Sequence, residues 1–316
     1  MTLDDIKNEI ENANNIVIFA HEKPDGDAIG SSLAFYIAMK NLGKDVDVII
    51  PHYPSDFKFL PCSNEVKLKP DIEKYDLAFA LDCGDIKRLD DPEETYLKAK
   101  TRINIDHHMS NGMFGDYNYV DPVSPACCQI ITGMFKYYGY TIDKNIATCI
   151  IAGIITDTGG FKYEGVTSET FEIASEFLGM GVNISKIYKN CMGRISREKF
   201  EVRKLAADRI EFLADNKIAY TYITKEDMEK YHVDQNDLDG IVENGRDVDG
   251  VEISIFLYET DKGFKASLRS NDYVNVSDIC LLFNGGGHMK AAGCTLQYPL
   301  DEAKDRILNA TKRFLK

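Results

Sequence analysis

The sequence lacks the cysteine spacing of a zinc-binding or disulfide-based protein. None of its eight cysteines belongs to a Cys-x-x-Cys pair, which argues against a zinc ribbon. Most of them have apolar neighbours, as Cys149 has in the segment Ala-Thr-Cys-Ile-Ile, and this setting is typical of buried thiols. Free thiols persist in reducing compartments. The cysteines therefore predict a cytoplasmic protein.

The sequence also lacks a long apolar run and an excess of basic residues. Its start, MTLDDIKNEI, is acidic and has no apolar core of a secretion signal, and the longest apolar stretch, 146–155, is too short to span a bilayer. Acidic residues number 51 against 37 lysines and arginines, for a net charge of −14. Binding a long duplex requires the neutralisation of many phosphates. We therefore expect a soluble protein that binds neither membranes nor long duplexes, although a small phosphorylated ligand remains compatible with this charge.

The first half of the 316 residues alternates apolar, strand-like runs with segments of helical periodicity. The predicted strands are 16–20, 46–50, 77–81 and 102–105, and the predicted helices are 28–42, 125–138, 145–155 and 168–178. Such alternation is typical of a parallel sheet with helices on both faces. The sequence therefore predicts an α/β first domain.

The pattern changes after about Gly181. A charged, largely helical stretch at 185–207 is followed by predicted strands at 217–223, 251–259, 264–268 and 294–298 and by predicted helices at 276–283 and 301–315. These elements indicate a smaller α+β domain. We therefore divide the chain into a first domain (1–184), a helical connector (185–208) and a second domain (209–316).

Acidic residues and histidines recur where the predicted elements of the first domain end. They are His21, Asp25 and Asp27 after the first strand, Asp82 after the third, Asp106, His107 and His108 after the fourth, and Asp157 at the end of an apolar helical run. The carboxyl ends of parallel strands open onto a shared crevice, where ligands bind. Residues that are distant in sequence can therefore meet there.

Carboxylates gathered in this way need cations. Several within a few ångströms repel one another, and some would take up protons. Two divalent ions relieve the repulsion, because Asp25 and Asp27 can each serve one ion and Asp82 can bridge both. Oxygen and imidazole ligands suit Mn²⁺, with Mg²⁺, Co²⁺ or Fe²⁺ as substitutes. Each acid by itself is more often a turn residue or a helix cap, but their recurrence at successive element ends favours a metal site.

These segments resemble the motifs of the DHH phosphoesterase superfamily, which is named for the tripeptide that stands here as Asp106-His107-His108. The first motif appears as AHEKPDGDAIGS (20–31), the second as LDCGD (81–85), the third as IDHH and the fourth as GIITDTGGF (153–161). The strings SLRS (267–270) and NGGGHMKAAG (284–293) resemble a DHHA1-type second domain. The total length and the pairing of the two domains are most similar to the bacterial nanoRNase and 3′,5′-bisphosphate nucleotidase group.

The resemblance implies two metal ions that share the carboxylate of Asp82. The implied ligands are His21, Asp25 and Asp82 for one ion, and Asp27, Asp82, His107 and Asp157 for the other. Asp106 would orient an imidazole without touching a metal ion. His108 would be catalytic together with Asp82, and would donate to oxygens of the scissile phosphate.

In the second domain, a glycine-rich loop and cationic side chains are candidates for substrate binding. Gly285, Gly286 and Gly287 let backbone N–H groups approach a phosphate, and a helix starting there would add a favourable dipole. Arg269, beside Ser270 in the SLRS motif, can hold a phosphate through two hydrogen bonds, and His288 adds a further donor. Two other cations are weaker candidates: Lys290 is either a phosphate contact or a solvated side chain, and Arg88 is more simply an exposed arginine at a helix end.

The resemblance implies a two-metal phosphohydrolase that cleaves short oligoribonucleotides, including linear dinucleotides, to mononucleotides, or removes the 3′-phosphate of 3′-phosphoadenosine 5′-phosphate.

Enzyme alternatives are a cyclic dinucleotide phosphodiesterase, a pyrophosphate or polyphosphate hydrolase, and an exonuclease for longer strands. The related pyrophosphatases carry an SRKKQ-type string, and the nearest string here, Ser196-Arg197-Glu198-Lys199, contains an acid, which disfavours them. A longer-strand exonuclease would need an additional binding module. The non-enzyme alternative is an inactive nucleotide-binding regulatory module, and the sequence leaves open whether the chain forms a homodimer.

Overall fold

The computed structural model describes residues 2–163 and 165–316. The chain divides into two compact units, Met1–Arg194 and Ile195–Lys316, and each has its own sheet and its own apolar core. The predicted connector, 185–208, spans the last helix of the first unit and the first helix of the second. Its role as a connector, and with it the three-part division of the chain, stays a prediction.

The first unit is built on a five-stranded parallel sheet with the strand order β2-β1-β3-β4-β5. The strands are β1 (Asn15–Phe19), β2 (Asp45–Ile49), β3 (Leu77–Leu81), β4 (Thr101–Asp106) and β5 (Tyr117–Val120). The helices are α1 (Leu3–Asn12), α2 (Gly26–Asn41), α3 (Glu93–Lys98), α4 (Cys127–Tyr138), α5 (Lys144–Asp157), α6 (Ser168–Gly179) and α7 (Ile184–Cys191).

The strands of this sheet are continuous apolar runs because both faces of the sheet are covered. Ile16 and Ile18 of β1 belong to the main core, which includes residues of α2, α4 and α5. Val17 and Phe19, which alternate with them, belong to a second core with Tyr96 of α3. The predicted α/β domain, with a parallel sheet and helices on both faces, is confirmed.

Burial also explains the apolar composition of the two central helices. All but the last two residues of α2 are buried, and Phe35 packs against Phe79 of β3 with the ring centroids 4.4 Å apart. In α5, nine residues from Ile146 to Ile155 are buried. Across the described ranges, no helix combines the length and the apolar character that a bilayer crossing requires.

The strand order places the predicted ligands at one edge of the sheet. The chain leaves β1 for β2 on one side and later returns to β3 on the other side of β1. At such a reversal the loops that follow the two strands separate and leave a crevice, where ligands bind in open α/β sheets. His21 follows β1 closely, and Asp82 follows β3 directly. The topology therefore brings the first two motifs together.

The second unit has a six-stranded sheet with the order β10-β11-β9-β8-β7-β6, in which β7 and β8 pair in parallel and the other neighbours pair antiparallel. The strands are β6 (Glu211–Leu213), β7 (Ile218–Ile223), β8 (Ile253–Thr260), β9 (Gly263–Ser270), β10 (Gly286–Gly287) and β11 (Ala291–Leu296). The helices are α8 (Arg197–Asp208), α9 (Lys225–Tyr231), α10 (Ile241–Arg246), α11 (Val276–Leu281) and α12 (Leu300–Lys312). The predicted smaller α+β domain is confirmed.

Candidate metal centre

Six side chains meet at the carboxyl edge of the parallel sheet, and they are the six predicted metal ligands: His21, Asp25, Asp27, Asp82, His107 and Asp157. The ligand atoms of His21, Asp25 and Asp82 lie within 4.8 Å of one another, and so do those of Asp27, His107 and Asp157. The two groups adjoin, because Oδ1 of Asp82 lies 3.4 Å from Nε2 of His107. The structure thus brings all six residues together, and metal binding by them stays a prediction.

The start of α2 orients Asp25. This residue is the N-cap of the helix, and its Oδ1 accepts hydrogen bonds from the backbone N–H groups of Asp27 and Ala28, both at 3.0 Å. Its other oxygen, Oδ2, lies 4.0 Å from Nε2 of His21. An N-cap satisfies orphan donors of the first helical turn. The same carboxylate therefore caps a helix with one oxygen and presents the other to the centre.

The start of α4 holds Asp27 in a comparable way. The Asp27 side chain is fully buried and accepts hydrogen bonds from the backbone N–H groups of Cys127 and Cys128, at 2.5 and 3.0 Å. The positive end of the helix dipole favours a carboxylate at this position. Helix α5 packs closely against this carboxylate, since a Cβ atom on Gly153 would lie 2.7 Å from Oδ1 of Asp27. Close approach of α5 to Asp27 therefore requires glycine at this point of the fourth motif.

Asp82 carries the feature that best fits a cation. Its side chain is 1% exposed, and its Oδ1 has no hydrogen-bond partner among the described residues. A buried polar atom without a partner is costly. The backbone of Asp82 has φ +53°, in the left-handed region that few non-glycine residues adopt, and such conformations cluster at functional sites. A divalent ion is the partner that this carboxylate lacks, so the residues present fit the implied metal ions.

The ring of His107 presents its Nε2 atom to the acids. Its Nδ1 lies 3.2 Å from the carbonyl oxygen of Ser124, so we assign the proton to Nδ1, which donates there. Nε2 lies 3.4 Å from Oδ1 of Asp82 and 3.3 Å from Oδ2 of Asp157. A histidine that binds a metal ion through Nε2 requires this tautomer, and a hydrogen bond from Nδ1–H commonly fixes it.

Asp106 orients His108 rather than His107. Oδ1 of the buried Asp106 lies 2.7 Å from Nδ1 of His108, and Oδ2 accepts a hydrogen bond from Asn111 at 2.6 Å. The hydrogen bond to Asp106 raises the pKa of His108, which favours the protonated ring. With Nδ1–H held by Asp106, Nε2–H remains as a donor, in keeping with the predicted contact to a phosphate oxygen.

In the absence of cations the centre favours bound protons. Burial and the charge of Asp82 raise the pKa of Asp27 to about 7, and burial and the charge of Asp27 raise the pKa of Asp157 to about 7. Burial likewise raises the pKa of Asp82 to about 6. Burial opposes the charged form of His107, but the nearby carboxylates of Asp82, Asp27 and Asp157 outweigh burial and raise its pKa to about 10. Divalent ions that bind here must therefore displace protons.

Arg88 is half-buried beside His21 and is not the exposed arginine that the sequence favoured. It belongs to the short 3₁₀ helix Ile86–Leu89, and Nη2 lies 3.1 Å from Nδ1 of His21. Because arginine only donates hydrogen bonds, Nδ1 of His21 accepts here and a neutral ring carries its proton on Nε2. Burial, with the charge of Arg88, lowers the pKa of His21 to about 4. Metal binding through Nε2 requires the guanidinium group to turn away from Nδ1, which would release Arg88 for a phosphate.

In the second unit, the glycine-rich loop is a hairpin and not the start of a helix, so the favourable helix dipole considered for this loop is absent. Gly286 and Gly287 form β10, which pairs antiparallel with β11, and His288 closes the turn with two backbone hydrogen bonds to Ala291. A Cβ atom on Gly285 would overlap the carbonyl oxygen of Gly293, and one on Gly287 (φ +146°) would overlap the facing strand. A Cβ atom on Gly286 would meet nothing within 4 Å. Gly286 therefore offers open backbone to a ligand.

The predicted substrate residues of this unit lie around the hairpin. Arg269 pairs in register with Ala291, next to the turn that carries the exposed His288. Nε of Arg269 lies 3.1 Å from Oε1 of Glu243, which orients the guanidinium group. The contact of Arg269 and His288 with a phosphate stays a prediction.

Two neighbouring polar residues use their side chains for hydrogen bonds within the unit. Ser270 is buried, and its hydroxyl donates to the carbonyl oxygen of Val274 at 2.7 Å, so the side chain braces the loop after β9. Nζ of Lys290 donates to the carbonyl oxygens of Asn271 and Asp272. Of the predicted substrate residues, Ser270 is therefore the one whose side chain has the least access to a ligand.

Comparison with known proteins identifies the family. The DHH family, N-terminal domain, matches residues 15–154, and the DHHA1 domain matches residues 215–316. The bifunctional oligoribonuclease and PAP phosphatase NrnA of Thermus thermophilus is 33% identical over 305 residues, which are 95% of this chain and 90% of that protein. The chain belongs to the DHH family. The predicted pairing of a DHH domain with a DHHA1 domain is thus confirmed.

Two further proteins match almost the whole chain. The bifunctional oligoribonuclease and PAP phosphatase NrnA of Bacillus subtilis is 27% identical over 303 residues and covers 93% of both chains. The crystal structure of an exopolyphosphatase-related protein from Bacteroides fragilis is 29% identical, with a TM-score of 0.91, and the match covers 99% of this chain and 96% of that chain. The predicted resemblance to the nanoRNase and 3′,5′-bisphosphate nucleotidase group is confirmed.

Proposed function

We propose that this DHH-family protein is a metal-dependent phosphohydrolase that cleaves short oligoribonucleotides, including linear dinucleotides, to mononucleotides and removes the 3′-phosphate of 3′-phosphoadenosine 5′-phosphate. The observation that carries the proposal is the buried carboxylate of Asp82, whose Oδ1 has no hydrogen-bond partner among the described residues and stands between two groups of ligand atoms. Relatives named oligoribonuclease and PAP phosphatase, which match more than nine-tenths of the chain, support the substrate class.

The proposed ions are two Mn²⁺, because the centre mixes carboxylate oxygens with imidazole nitrogens. The ligands would be His21, Asp25 and Asp82 for one ion, and Asp27, Asp82, His107 and Asp157 for the other. When bound, such ions lower the pKa of water and neutralise charge on phosphoryl oxygens. The same donor set would also accept Mg²⁺ or Co²⁺.

The protein's own contribution to the reaction is orientation and charge. His108, held through Nδ1 by Asp106, donates from Nε2 to a phosphoryl oxygen as negative charge develops there; a preorganised donor of this kind stabilises the transition state. Arg269, His288 and the open backbone at Gly286 bind a phosphate of the nucleotide in the second unit.

Replacing Arg269 with alanine is expected to raise KM for a dinucleotide roughly 10- to 100-fold, since it removes charge-assisted hydrogen bonds to a phosphate. The bound metal should stay constant, as measured by elemental analysis. Arg246→Ala is the matched control: Arg246 lies in the same unit, its side chain has a similar exposure (27% against 29%) and it also pairs with an acid, Asp247. Loss of metal from Arg269→Ala, or equal KM values for the two variants, would contradict the assigned role.

A substrate panel with Mn²⁺ tests the proposed function. Linear dinucleotides and 3′-phosphoadenosine 5′-phosphate should be hydrolysed faster than longer RNA, cyclic dinucleotides or pyrophosphate. Preference for pyrophosphate or polyphosphate would instead match the name of the Bacteroides fragilis relative, an exopolyphosphatase-related protein. An inactive nucleotide-binding module would show no turnover with any divalent ion.

We also propose that the protein acts in the cytoplasm on short single-stranded RNA and small nucleotides. All eight cysteines are free, and six of them are buried. Free thiols suit a reducing compartment. Detection of the protein in a cell fraction other than the cytoplasmic one would contradict this location.

A further inference from the structure

A stacked aromatic pair lies exposed in the first unit. The rings of Phe161 and Phe171 have centroids 5.5 Å apart and an angle of 24° between their planes. Phe171 is 56% exposed, whereas Phe161 is half-buried and also packs against the main core of the unit. Burial of such a ring is ordinarily favourable, so a phenylalanine held open to solvent raises the question of what covers it. Neither residue is among the predicted ligands or substrate contacts.

The first ring is tied to the metal centre through the end of α5. Phe161 follows Asp157 by four residues, and four residues span at most about 14 Å even when fully extended. The segment is not extended: the N–H of Gly160 donates to the carbonyl oxygen of Ile155 at 2.8 Å. The N–H of Phe161 donates to Oγ1 of Thr158 at 3.0 Å. Phe161 is therefore held close to Asp157.

The second ring is tied to the centre through α4. Phe171 lies on α6, whose first turn is joined to Gln129 of α4 by hydrogen bonds from Thr170 at 2.8 Å and to Glu169 at 3.2 Å. Gln129 stands two residues after Cys127, whose N–H binds the carboxylate of Asp27. Two independent connections thus place the aromatic pair beside helices that carry or orient the metal ligands.

The backbone and the neighbours of the pair indicate a binding surface. Phe161 has φ +68°, a conformation that is rare for a bulky residue and typical of functional sites. Exposed Lys162 and Tyr163 follow it directly, and Tyr188 of α7 lies close to Gly160. Aromatic rings on which bases can stack, beside a cationic side chain such as Lys162, are typical of surfaces that bind single-stranded nucleic acid. The position of these rings next to the centre favours a nucleotide as their occupant.

We propose that Phe171, supported by Phe161, is a stacking platform for a nucleobase of the substrate whose phosphate lies at the metal centre. The inference rests on the proposed function and adds a subsite to it. Every base has a face that can stack, so the platform contributes affinity without a strict sequence preference. It predicts tighter binding of purine than of pyrimidine nucleotides, because the larger ring system overlaps the phenyl face more fully.

Kinetics of Phe171→Ala test the platform. We expect KM for a purine dinucleotide to rise roughly 5- to 100-fold, kcat to change little, and KM for ribose 3′,5′-bisphosphate, which has no base, to stay constant. Phe171→Trp should retain the wild-type KM, because it keeps an aromatic face. Phe200→Ala is the matched control, since Phe200 is exposed to the same degree (55%) but lies on α8 of the other unit. Melting temperatures of all variants report any loss of folding.

Binding of a non-cleavable fluorescent dinucleotide analogue, followed by polarisation, tests the platform without turnover. A weaker binding by Phe171→Ala than by Phe200→Ala supports it, whatever the substrate panel shows; equal dissociation constants and equal KM values overturn it. An inactive wild-type protein would overturn the proposed function alone. If Phe171→Ala instead changes the sedimentation coefficient of the protein while leaving nucleotide binding intact, the patch is an interface between two copies and the platform is wrong.

Discussion

Replacing Asp82 with asparagine is expected to lower kcat/KM for dinucleotide hydrolysis by roughly 10³-fold or more, because charge stabilisation by a metal ion is worth several kcal/mol. Both proposed ligand sets share Asp82, so its replacement weakens the binding of both ions at once. Steady-state kinetics and elemental analysis of the purified variant measure the two effects. Retention of both activity and metal by Asp82→Asn would refute the assigned centre.

The same substitution should leave the metal-free protein as stable as the wild type, or more stable. Oδ1 of Asp82 is buried without a hydrogen-bond partner among the described residues, and burial outweighs the attraction of His107 and raises the pKa of Asp82 to about 6, so the fold disfavours its charged form. Neutralising a buried, poorly compensated charge is commonly neutral or favourable for folding. Calorimetry in EDTA should therefore give Asp82→Asn a melting temperature at or above the wild-type value, whereas added Mn²⁺ should raise only the wild-type value.

Asp47→Asn is the matched control for a buried carboxylate. Asp47 lies in β2 of the same sheet, but its oxygens have partners, the hydroxyl of Tyr75 and the ammonium group of Lys67, both at 2.5 Å. Weakening these hydrogen bonds should lower the free energy of unfolding by about 1–3 kcal/mol and leave kcat/KM unchanged. The contrast between the two variants separates a carboxylate that serves metal ions from one that serves the fold.

Divalent ions are expected to stabilise the protein far more at pH 8 than at pH 5. In the metal-free protein the pKa values of Asp27 and Asp157 are raised to about 7, so both acids are protonated at pH 5. Ions can bind only when these protons leave, and each released proton lowers metal affinity about tenfold, or about 1.4 kcal/mol, per pH unit below that pKa. The rise in melting temperature on adding Mn²⁺, measured from pH 5 to pH 8, should follow this trend.

Linkage predicts the opposite trend for the metal-free protein. An acid whose pKa is raised on folding contributes stability that is complete below its ordinary pKa near 4 and is lost as the pH rises through about 7. His107, whose pKa is raised to about 10, has the same sign, and its contribution is lost as the pH rises from about 6.5 through 10. His21, whose pKa is lowered to about 4 by burial and Arg88, has the opposite sign and loses stability as the pH falls towards 4.

The raised pKa values of Asp27, Asp82, Asp157 and His107 outweigh the lowered value of His21, so the melting temperature in EDTA should fall from pH 5 to pH 8. Asp157→Asn removes one of these four contributions and should flatten this slope. A metal-induced shift that is equal at all pH values would show that protons and ions do not compete for these side chains.

The sequence by itself determined most of the first unit, because buried elements have strong periodic signals. The four predicted strands correspond to β1–β4, and the predicted helices to α2, α4, α5 and α6, with ends that differ by at most two residues. Buried parallel strands are continuous apolar runs, which composition reveals. The edge strand β5 (Tyr117–Val120) was missed because its side chains are half-buried and it has no such run. The short α3 has too few turns to show a period.

The second unit shows where local pattern was insufficient. The glycines 285–287 were compatible with a helix start or a strand, since glycine has no side chain that would report either period. These glycines form one strand of a hairpin because they pair antiparallel with β11, which lies further along the chain. This pairing brings the two backbones so close that only glycine fits at Gly285 and Gly287. At Gly286 the space where a Cβ atom would lie is open.

At the metal centre, the sequence determined which residue types are available, and only the tertiary structure decided what each atom faces. The motifs located the six candidate ligands that the structure brings together, because carboxylates and imidazoles at strand ends have a chemical signature of their own. Hydrogen-bond partners have none: that Asp106 holds His108, that the Ser124 carbonyl sets the tautomer of His107, and that Arg88 occupies Nδ1 of His21 follow from contacts between segments far apart in the chain. Packing around Asp82 likewise gives Oδ1 no donor from the described parts of the chain.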